Sequence, residues 1–462
     1  MPRAVPSTNT QKRIAVFGLG KLGACIAATL ASRGFPVIGY DVDLRKTEAI
    51  RKGLAPIQEP RLQKTIEAAG TLLRATDSVE EAVAQSDVSY FVPSTPSLPD
   101  GSFSNQYLLP AVEEAAKAAS RLKKDDHLFV VNSTVTPGTL DSVLTPMLET
   151  VLGGRCGEAF GLCYNPEFIA LGNVIHGLLQ PDFVLVGESD PASGALLAQI
   201  YQSYCLNSPS VERMANINAE LAKISLNCAV TTKISFVNQL SGVCAKIPGA
   251  DPGVILSAIG KDRRIGSEYL RPGLGFGGPC FPRDNRLFQY IAKSVGADSS
   301  LAHATDKINE DVNERLLGTV LAHCPEGESV GVLGLAYKPE TAVTDCSSGV
   351  WLCEKLMEHN RKVMAHDYLA AVQATPSLHD RVEVNNDPDE LVRCCRVLVL
   401  TCPWPQYKQV LNQAMPELVA RGTIIIDPWR LLESVSGMEN LRYIVNLQST
   451  SPSVALGVAA NA

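Results

Sequence analysis

Long hydrophobic runs are missing from this sequence: no stretch of its 462 residues approaches the length needed to cross a bilayer. The opening residues, MPRAVPSTNTQKR, are polar and contain no apolar signal-peptide core. A cytoplasmic protein with no membrane partner is the expectation. An excess of positive charge is also missing. Lys and Arg number 41 against 48 Asp and Glu, a formal net charge of −7. That balance argues against a general nucleic-acid or anionic-membrane binder, while leaving room for a local basic pocket. Patterned cysteine and histidine are missing too. The 13 cysteines are odd in number, scattered and without paired CxxC spacing, in a chain too long for a disulfide scaffold. Reduced thiols in a cytosol are expected, with the adjacent Cys394 and Cys395 read as core. The seven histidines show no HExxH-type spacing, so no metal site is expected.

What is present is the balance of a folded protein. Hydrophobic residues make up 45% and charged residues 19%, in a chain long enough for two or three domains. Near its start the chain reads IAVFG, then Gly18-Leu19-Gly20-Lys21-Leu22-Gly23, then a helical pattern to Ser32, then PVIGYD ending at Asp41. Strand, glycine turn, helix, strand and acid is the order of a dinucleotide-binding unit. Glycines let the backbone approach a pyrophosphate, and the helix N-terminus offers it free N–H groups. A carboxylate at Asp41 accepts hydrogen bonds from a ribose 2′-hydroxyl and repels a 2′-phosphate, so NAD is favoured over NADP.

Strand-like runs follow in VSYFVPSTP, HLFVVNSTVTPG, FGLCYNPEF and DFVLVGE, with helical stretches between most of them. This alternation predicts a parallel sheet with helices on both faces. Thr95 and Thr134 fall at strand C-terminal ends, where ligands collect in such sheets; a turn or cap role suits each as well. Residues 210–247 read as one long, largely helical segment without proline, a connector expected to take part in a homodimer or higher oligomer. A second α/β unit begins near Ser329, with SVGVLGLAYKP as strand and turn and KVMAHD as a strand ending at Asp367. Its turn is not GxGxxG, so its pyrophosphate loop is altered.

The predicted fold class is α/β: two Rossmann-like, doubly wound parallel-sheet domains joined by a long central helix and an all-α middle domain. The expected divisions are an NAD-binding domain over 1–209, a helical dimerisation domain over 210–305, a second, nucleotide-type domain over 306–446 and a loose tail over 447–462.

One segment concentrates chemistry: GLGFGGPCFPRD, residues 273–284. Its glycines allow positive φ and close approach of a ligand. Pro282 suits the first turn of a helix, which places Cys280 just before a helix N-terminus, where the dipole favours thiolate. Asp284 then falls in the first turn on the same side. The residues fit an activated nucleophile beside a carboxylate, and equally a buried cysteine in a glycine-rich bend. On the long helix, Asn216, Glu220, Lys223 and Asn227 share one face at spacings of three and four. Such a face usually meets solvent, yet ISLNCAVTTKISFVNQL is too apolar for a freely exposed helix. A half-buried lysine and asparagine suggest a site that polarises oxygen.

With these residues in view, the chain resembles the nucleotide-sugar 6-dehydrogenases, the UDP-glucose dehydrogenase family, from about Lys12 to Tyr443. The matching motifs stand in order: GLGKLG, STP, NSTVTPGT, NPEFIALG, NAELAKISLN, DRRIGSEYLRPGLGFGGPCFPRD and VGVLGLAYKP. The resemblance implies oxidation of a sugar C6 hydroxymethyl to a carboxylate with two NAD per turnover. It implies Cys280 as the nucleophile that holds the half-oxidised sugar, first as thiohemiacetal and then as thioester. Lys223 and Asn227 would stabilise the oxyanion, Asp284 would position water or assist proton transfer, and Glu167 would be the base for hydrolysis, with Thr134 holding the water. The implied cofactor site comprises Gly18, Gly20, Lys21, Leu22, Gly23, Asp41, Lys46, Thr95 and Thr134. Substrate contacts are implied for Glu167, Phe168, Lys223, Asn227, Arg264, Tyr269, Arg271, Gly275, Phe276, Gly277, Lys338 and Arg430, with Arg264 able to reach a neighbouring subunit.

The sequence departs from the family pattern at Leu171, where an acid is usual, and at Phe183, where PDF replaces PDR. It departs again at Asp345, near a usual arginine, and at Trp429, where DPWR replaces DGRN or DGRR. UDP-glucose is the favoured substrate, since GGPC replaces the GGHC common in enzymes for UDP-N-acetylhexosamines. Those sugars and GDP-mannose are the alternatives. A two-electron dehydrogenase and a catalytically silent NAD-binding protein are the readings from other classes.

Overall fold

The computed structural model describes residues 12–169, 171–325, 327–378, 382–432 and 441–447. The polar N-terminal residues 1–11 and the expected loose tail beyond 447 lie outside the described residues. The chain forms two compact units, residues 1–226 and 227–462, and the division falls inside a helix over Asn216–Cys244.

The first unit is built on an eight-stranded sheet. Its strands are β1 (Ile14–Phe17), β2 (Val37–Tyr40), β3 (Leu73–Thr76), β4 (Val88–Phe91), β5 (Leu128–Val131), β6 (Gly161–Tyr164), β7 (Phe183–Glu188) and β8 (Ser210–Ala215), in the order β3-β2-β1-β4-β5-β6-β7-β8. Ile14 and Val16 of β1 enter one core and Ala15 and Phe17 the other, so the strand is apolar on both faces. All pairings are parallel except β6 with β7. Between those two strands the chain carries the NPEF segment and only a six-residue helix, Val174–Leu179. The strand order reverses at β1/β4, the switch point where such sheets bind ligands.

The expected helix over 210–247 is corrected at its start. Residues 210–215 form β8 and pair with β7 from Phe183↔Ser210 to Glu188↔Ala215; the helix begins at Asn216. Glu212, Arg213, Met214 and Ala215 all tolerate a helix, and the ladder with β7 overrides that propensity.

The second unit holds helices Pro252–Ile259, Phe281–Ser294 and Ser300–His323, then a six-stranded parallel sheet. Its strands are β9 (Ser329–Leu333), β10 (Lys362–His366), β11 (Val382–Val384), β12 (Val397–Leu400), β13 (Ile424–Ile426) and β14 (Arg442–Ile444), in the order β11-β10-β9-β12-β13-β14. Cys395 is buried as expected, but Cys394 is exposed. It ends the helix Pro388–Cys394, so the two neighbours point to different environments.

Both sheets use one device after their first strand. Gly18 has φ 98 and Gly334 has φ 117, a backbone shape that side chains disfavour. A Cβ on Gly23 would strike the Gly18 carbonyl, and a Cβ on Gly349 would strike the Gly334 carbonyl. The first pair is five residues apart and the second fifteen, so the second unit inserts a loop carrying Lys338 and Asp345 where the first has a tight turn. At the end of β10, Asp367 is fully engaged. It accepts from the amides of Leu335, Ala336, Leu369 and Ala370 and from the Trp404 indole. A carboxylate occupied in this way is not free for a dinucleotide ribose.

Candidate functional site

In the first unit, Gly18 backs onto the Val92 main chain and Gly23 onto Gly18, so the fold itself requires both glycines. Gly20 is different, because a Cβ there would meet open space. The missing side chain therefore serves whatever approaches the loop. The helix Gly23–Ser32 starts after Leu22, and no described side chain caps it, which leaves its first N–H groups for an anion. Lys21 is exposed beside it. Asp41 is buried, and its Oδ2 accepts from the Leu19 amide at 2.6 Å and from Lys46 Nζ at 3.1 Å. This set fits NAD. At the ends of β4 and β5, Thr95 Oγ1 donates to the Thr134 carbonyl at 2.5 Å, which ties the two ligand-edge loops together.

Beyond β6 stands Glu167. Burial pushes its carboxyl up to about 7, against the pull of a Tyr201 hydrogen bond and the Lys223 charge. Tyr201 OH lies 2.8 Å from Glu167 Oε1. Lys223 Nζ sits 4.9 Å from the centre of the Phe168 ring, a cation–π contact. Phe168 in turn packs on Phe183, ring centres 5.0 Å apart. Two departures from the family pattern thus have structural work: Phe183 supports Phe168, and Leu171 packs against the core.

The polar face of the long helix is buried, not solvated: Asn216 is 2% exposed, Glu220 0%, Lys223 6% and Asn227 6%. Asn216 donates to Ser189 Oγ at 2.8 Å. Glu220 accepts from the Gly138 amide at 2.6 Å and the Leu140 amide at 3.0 Å, fixing the TPGT turn after Thr134.

In the second unit, Cys280 is exposed and occupies the N-cap position of the Phe281–Ser294 helix, with Pro282 in the first turn. Asp284 is buried in that turn and accepts from Asn227 Nδ2 at 2.6 Å. Arg283 went unassigned in the sequence. Its guanidinium is close enough to feel the charges of Asp284 and Cys280, while burial holds its pKa below the ordinary value. Upstream, Asn309 grips the main chain of Phe276, accepting from its amide at 2.7 Å and donating to its carbonyl at 3.0 Å. A side chain on Gly275 would collide with Asn309, one on Gly277 with the Cys346 carbonyl, and one on Gly278 with the Tyr337 ring. The Gly278 amide donates to the Asp345 carbonyl at 2.8 Å, so this departure supports the loop through its backbone. These glycines are therefore small because the surrounding chain presses on them.

Other predicted substrate residues sit in varied settings. Arg271 and Arg430 line one open groove of about 1050 Å³ together with Lys261 and Trp429. Arg430 has φ 56, and its Nη1 donates to both carboxylate oxygens of Asp251 at 2.9 Å. The Trp429 ring lies against Gly273, where a Cβ would clash. Tyr269 is exposed with φ 60, edge-on to Phe281. Arg264 is exposed and folds back on Asp262 at 2.7 Å. Lys338 Nζ lies 5.8 Å from the Tyr337 ring centre. Asn309 and Tyr201 had no signal in their local sequence, because each acts through a contact distant along the chain; Arg283 stands inside the PCFPRD stretch, beside the residues it influences.

Three family models match this chain in succession. They are the NAD binding domain of the UDP-glucose/GDP-mannose dehydrogenase family over residues 12–205, its central domain over 217–311 and its UDP binding domain over 331–434. The chain is 32% identical over 436 residues to a UDP-glucose 6-dehydrogenase of Haloferax volcanii, covering 92% of this chain and 98% of the relative. It is 33% identical over 362 residues to a GDP-mannose 6-dehydrogenase of Pseudomonas putida, covering 77% and 80%. Among solved structures it is similar to a UDP-glucose dehydrogenase from Pyrobaculum islandicum, with a TM-score of 0.86, 30% identity and coverage of 97% and 100%.

Proposed function

The chain belongs to the UDP-glucose/GDP-mannose dehydrogenase family, and from that premise we propose that it oxidises C6 of UDP-glucose from hydroxymethyl to carboxylate in two steps. Bound NAD supplies the hydride acceptor at each oxidation. Cys280 carries the rest of the chemistry. Its sulfur adds to the C6 aldehyde, the carbonyl π electrons move to oxygen, and the tetrahedral carbon can then release its remaining hydrogen as hydride. Lys223 and Asn227 stabilise that oxygen as it gains charge. Loss of the hydride leaves a thioester, which keeps the half-finished product attached. Glu167 takes a proton from water as the water oxygen attacks the thioester carbon, aided by Thr134, and the C–S bond breaks to return the thiolate. Asp284, held by Asn227, assists proton movement.

One observation carries this reading: an exposed thiol at a helix N-cap, four residues before a buried carboxylate that Asn227 anchors at 2.6 Å. Arg271 and Lys338 are assigned to the nucleotide phosphates. A homodimer is supported by Phe236 and Val243, which the long helix leaves half exposed. The decisive experiment counts NADH formed per nucleotide sugar consumed. Two is expected, and a value near one rejects the thioester route. Running it with UDP-glucose, UDP-N-acetylglucosamine, UDP-N-acetylmannosamine and GDP-mannose in parallel identifies the sugar. UDP-glucose is expected to give the highest kcat/KM.

A further inference from the structure

Asn165, Tyr201 and Glu167 hold fewer protons than their contacts require if Glu167 is ionised. The Tyr201 hydroxyl lies 2.6 Å from Asn165 Oδ1 and 2.8 Å from Glu167 Oε1. Asn165 Nδ2 donates to the Leu185 carbonyl at 2.9 Å, which fixes the amide so that its Oδ1 faces the phenol and can only accept. A phenol has one proton to give. Given to Glu167, it leaves Asn165 Oδ1 against a bare oxygen, with only a 3.3 Å contact from Asn132 Nδ2 in compensation. Given to Asn165, it leaves the 2.8 Å contact to Glu167 in need of a proton from the carboxyl itself. Every contact is satisfied only when Glu167 donates to Tyr201 and Tyr201 donates to Asn165.

We propose that Tyr201 is a positioning residue that holds Glu167 in both protonation states: at rest its hydroxyl donates to Asn165 and accepts from neutral Glu167, and when the carboxyl ionises it turns from Asn165 to donate to Glu167. The proton released goes to solvent. Lys223 of the long helix is the cation facing this carboxyl; Tyr90 of β4 and Tyr201, Tyr204 and Cys205, in or just after the helix Pro191–Tyr204, face it as well. Burial raises each of those tyrosines and the cysteine, so they stay neutral, and a hydrogen bond from Tyr201 together with the Lys223 charge draws the carboxyl towards ionisation. Burial also raises Glu167 itself to about 7, in keeping with a neutral resting form. The catalytic consequence rests on the proposed dehydrogenase reaction: Glu167 must shed this proton before it can activate water.

The test reads the carboxyl directly. Infrared spectra of the intact protein, without substrate or NAD, are recorded for wild type and Glu167→Gln, and their difference isolates the C=O stretch of neutral Glu167. A band at about pH 6 that disappears through about pH 7 is expected. In Tyr201→Phe the ionised form loses its donor, so the band should persist about one pH unit higher. No such band in folded wild type, or an unmoved midpoint in a folded Tyr201→Phe, overturns the proposal. If Tyr201→Phe does not fold, the wild-type band alone decides. Because no turnover is measured, the expected band in a protein that never hydrolyses a thioester would reject the dehydrogenase reading and leave the Tyr201 proton switch standing.

Discussion

Asn227 Nδ2 donates to Asp284 Oδ2 at 2.6 Å, and both side chains are buried. The bond sets apart what the carboxylate does for stability and for chemistry. Asp284→Ala strands a buried amide, a loss of about 1–3 kcal/mol, and should lower Tm by several degrees. Asp284→Asn keeps an acceptor for Asn227 and should hold Tm close to wild type, yet lower kcat about 100-fold or more by removing the charge. Calorimetry and steady-state NADH formation on both variants check this. Full activity in Asp284→Asn would reduce Asp284 to a structural role.

Cys280 is exposed, so its replacement should cost little stability and report on chemistry alone. Cys280→Ser retains a nucleophile but turns the intermediate into an ester, a poorer leaving arrangement than a thioester. Intact-mass spectrometry after incubation with UDP-glucose and NAD should find a covalent sugar adduct, with turnover reduced about 1000-fold. Unchanged turnover with no adduct would remove this sulfur from the reaction.

Local rules explain why some of this arrangement could be read in advance. Gly18 and Asp41 follow from a tight turn and a strand end close in sequence, and Pro282 marks the helix start that exposes Cys280. The Ser210–Ala215 strand was hidden because its residues also suit a helix and only β7 decides otherwise. Tyr201 stands 36 residues from Asn165 and Asn309 stands 33 from Phe276. Neither distance is encoded by spacing, since the fold creates both contacts. The polar face around Lys223 was legible as a face, but its burial needed the packed structure.

Glu220 gives a pH prediction with a defined sign. It is fully buried and burial pushes its carboxyl up to about 7. In the unfolded chain a glutamate titrates near about 4.3. Between those values the folded state binds more protons, so its stability falls as pH rises through the window and levels off above about 7. Glu220→Gln abolishes that contribution. It also loses one of the two amide contacts, a uniform offset that leaves the slope diagnostic. Denaturant unfolding of both proteins at about pH 5 and about pH 8 should show the stability difference between the two conditions shrinking by about 1–3 kcal/mol in the variant. Parallel profiles would mean that Glu220 is ionised throughout.

Asp41 serves both the loop and the cofactor. It holds the Leu19 amide at 2.6 Å and Lys46 at 3.1 Å, so its removal loosens the glycine turn and frees a cation at the ribose end of the proposed NAD site. Both effects act in one direction. Asp41→Ala should raise the KM for NAD about 10- to 100-fold, while the freed Lys46 becomes available to a 2′-phosphate and NADP discrimination falls. The double variant Asp41→Ala/Lys46→Ala separates the contributions: it should keep the weak NAD binding and lose the gain in NADP use. Measuring kcat/KM for both cofactors with wild type and the two variants checks the assignment. An unaltered NAD-to-NADP preference in Asp41→Ala would show that another residue reads the ribose.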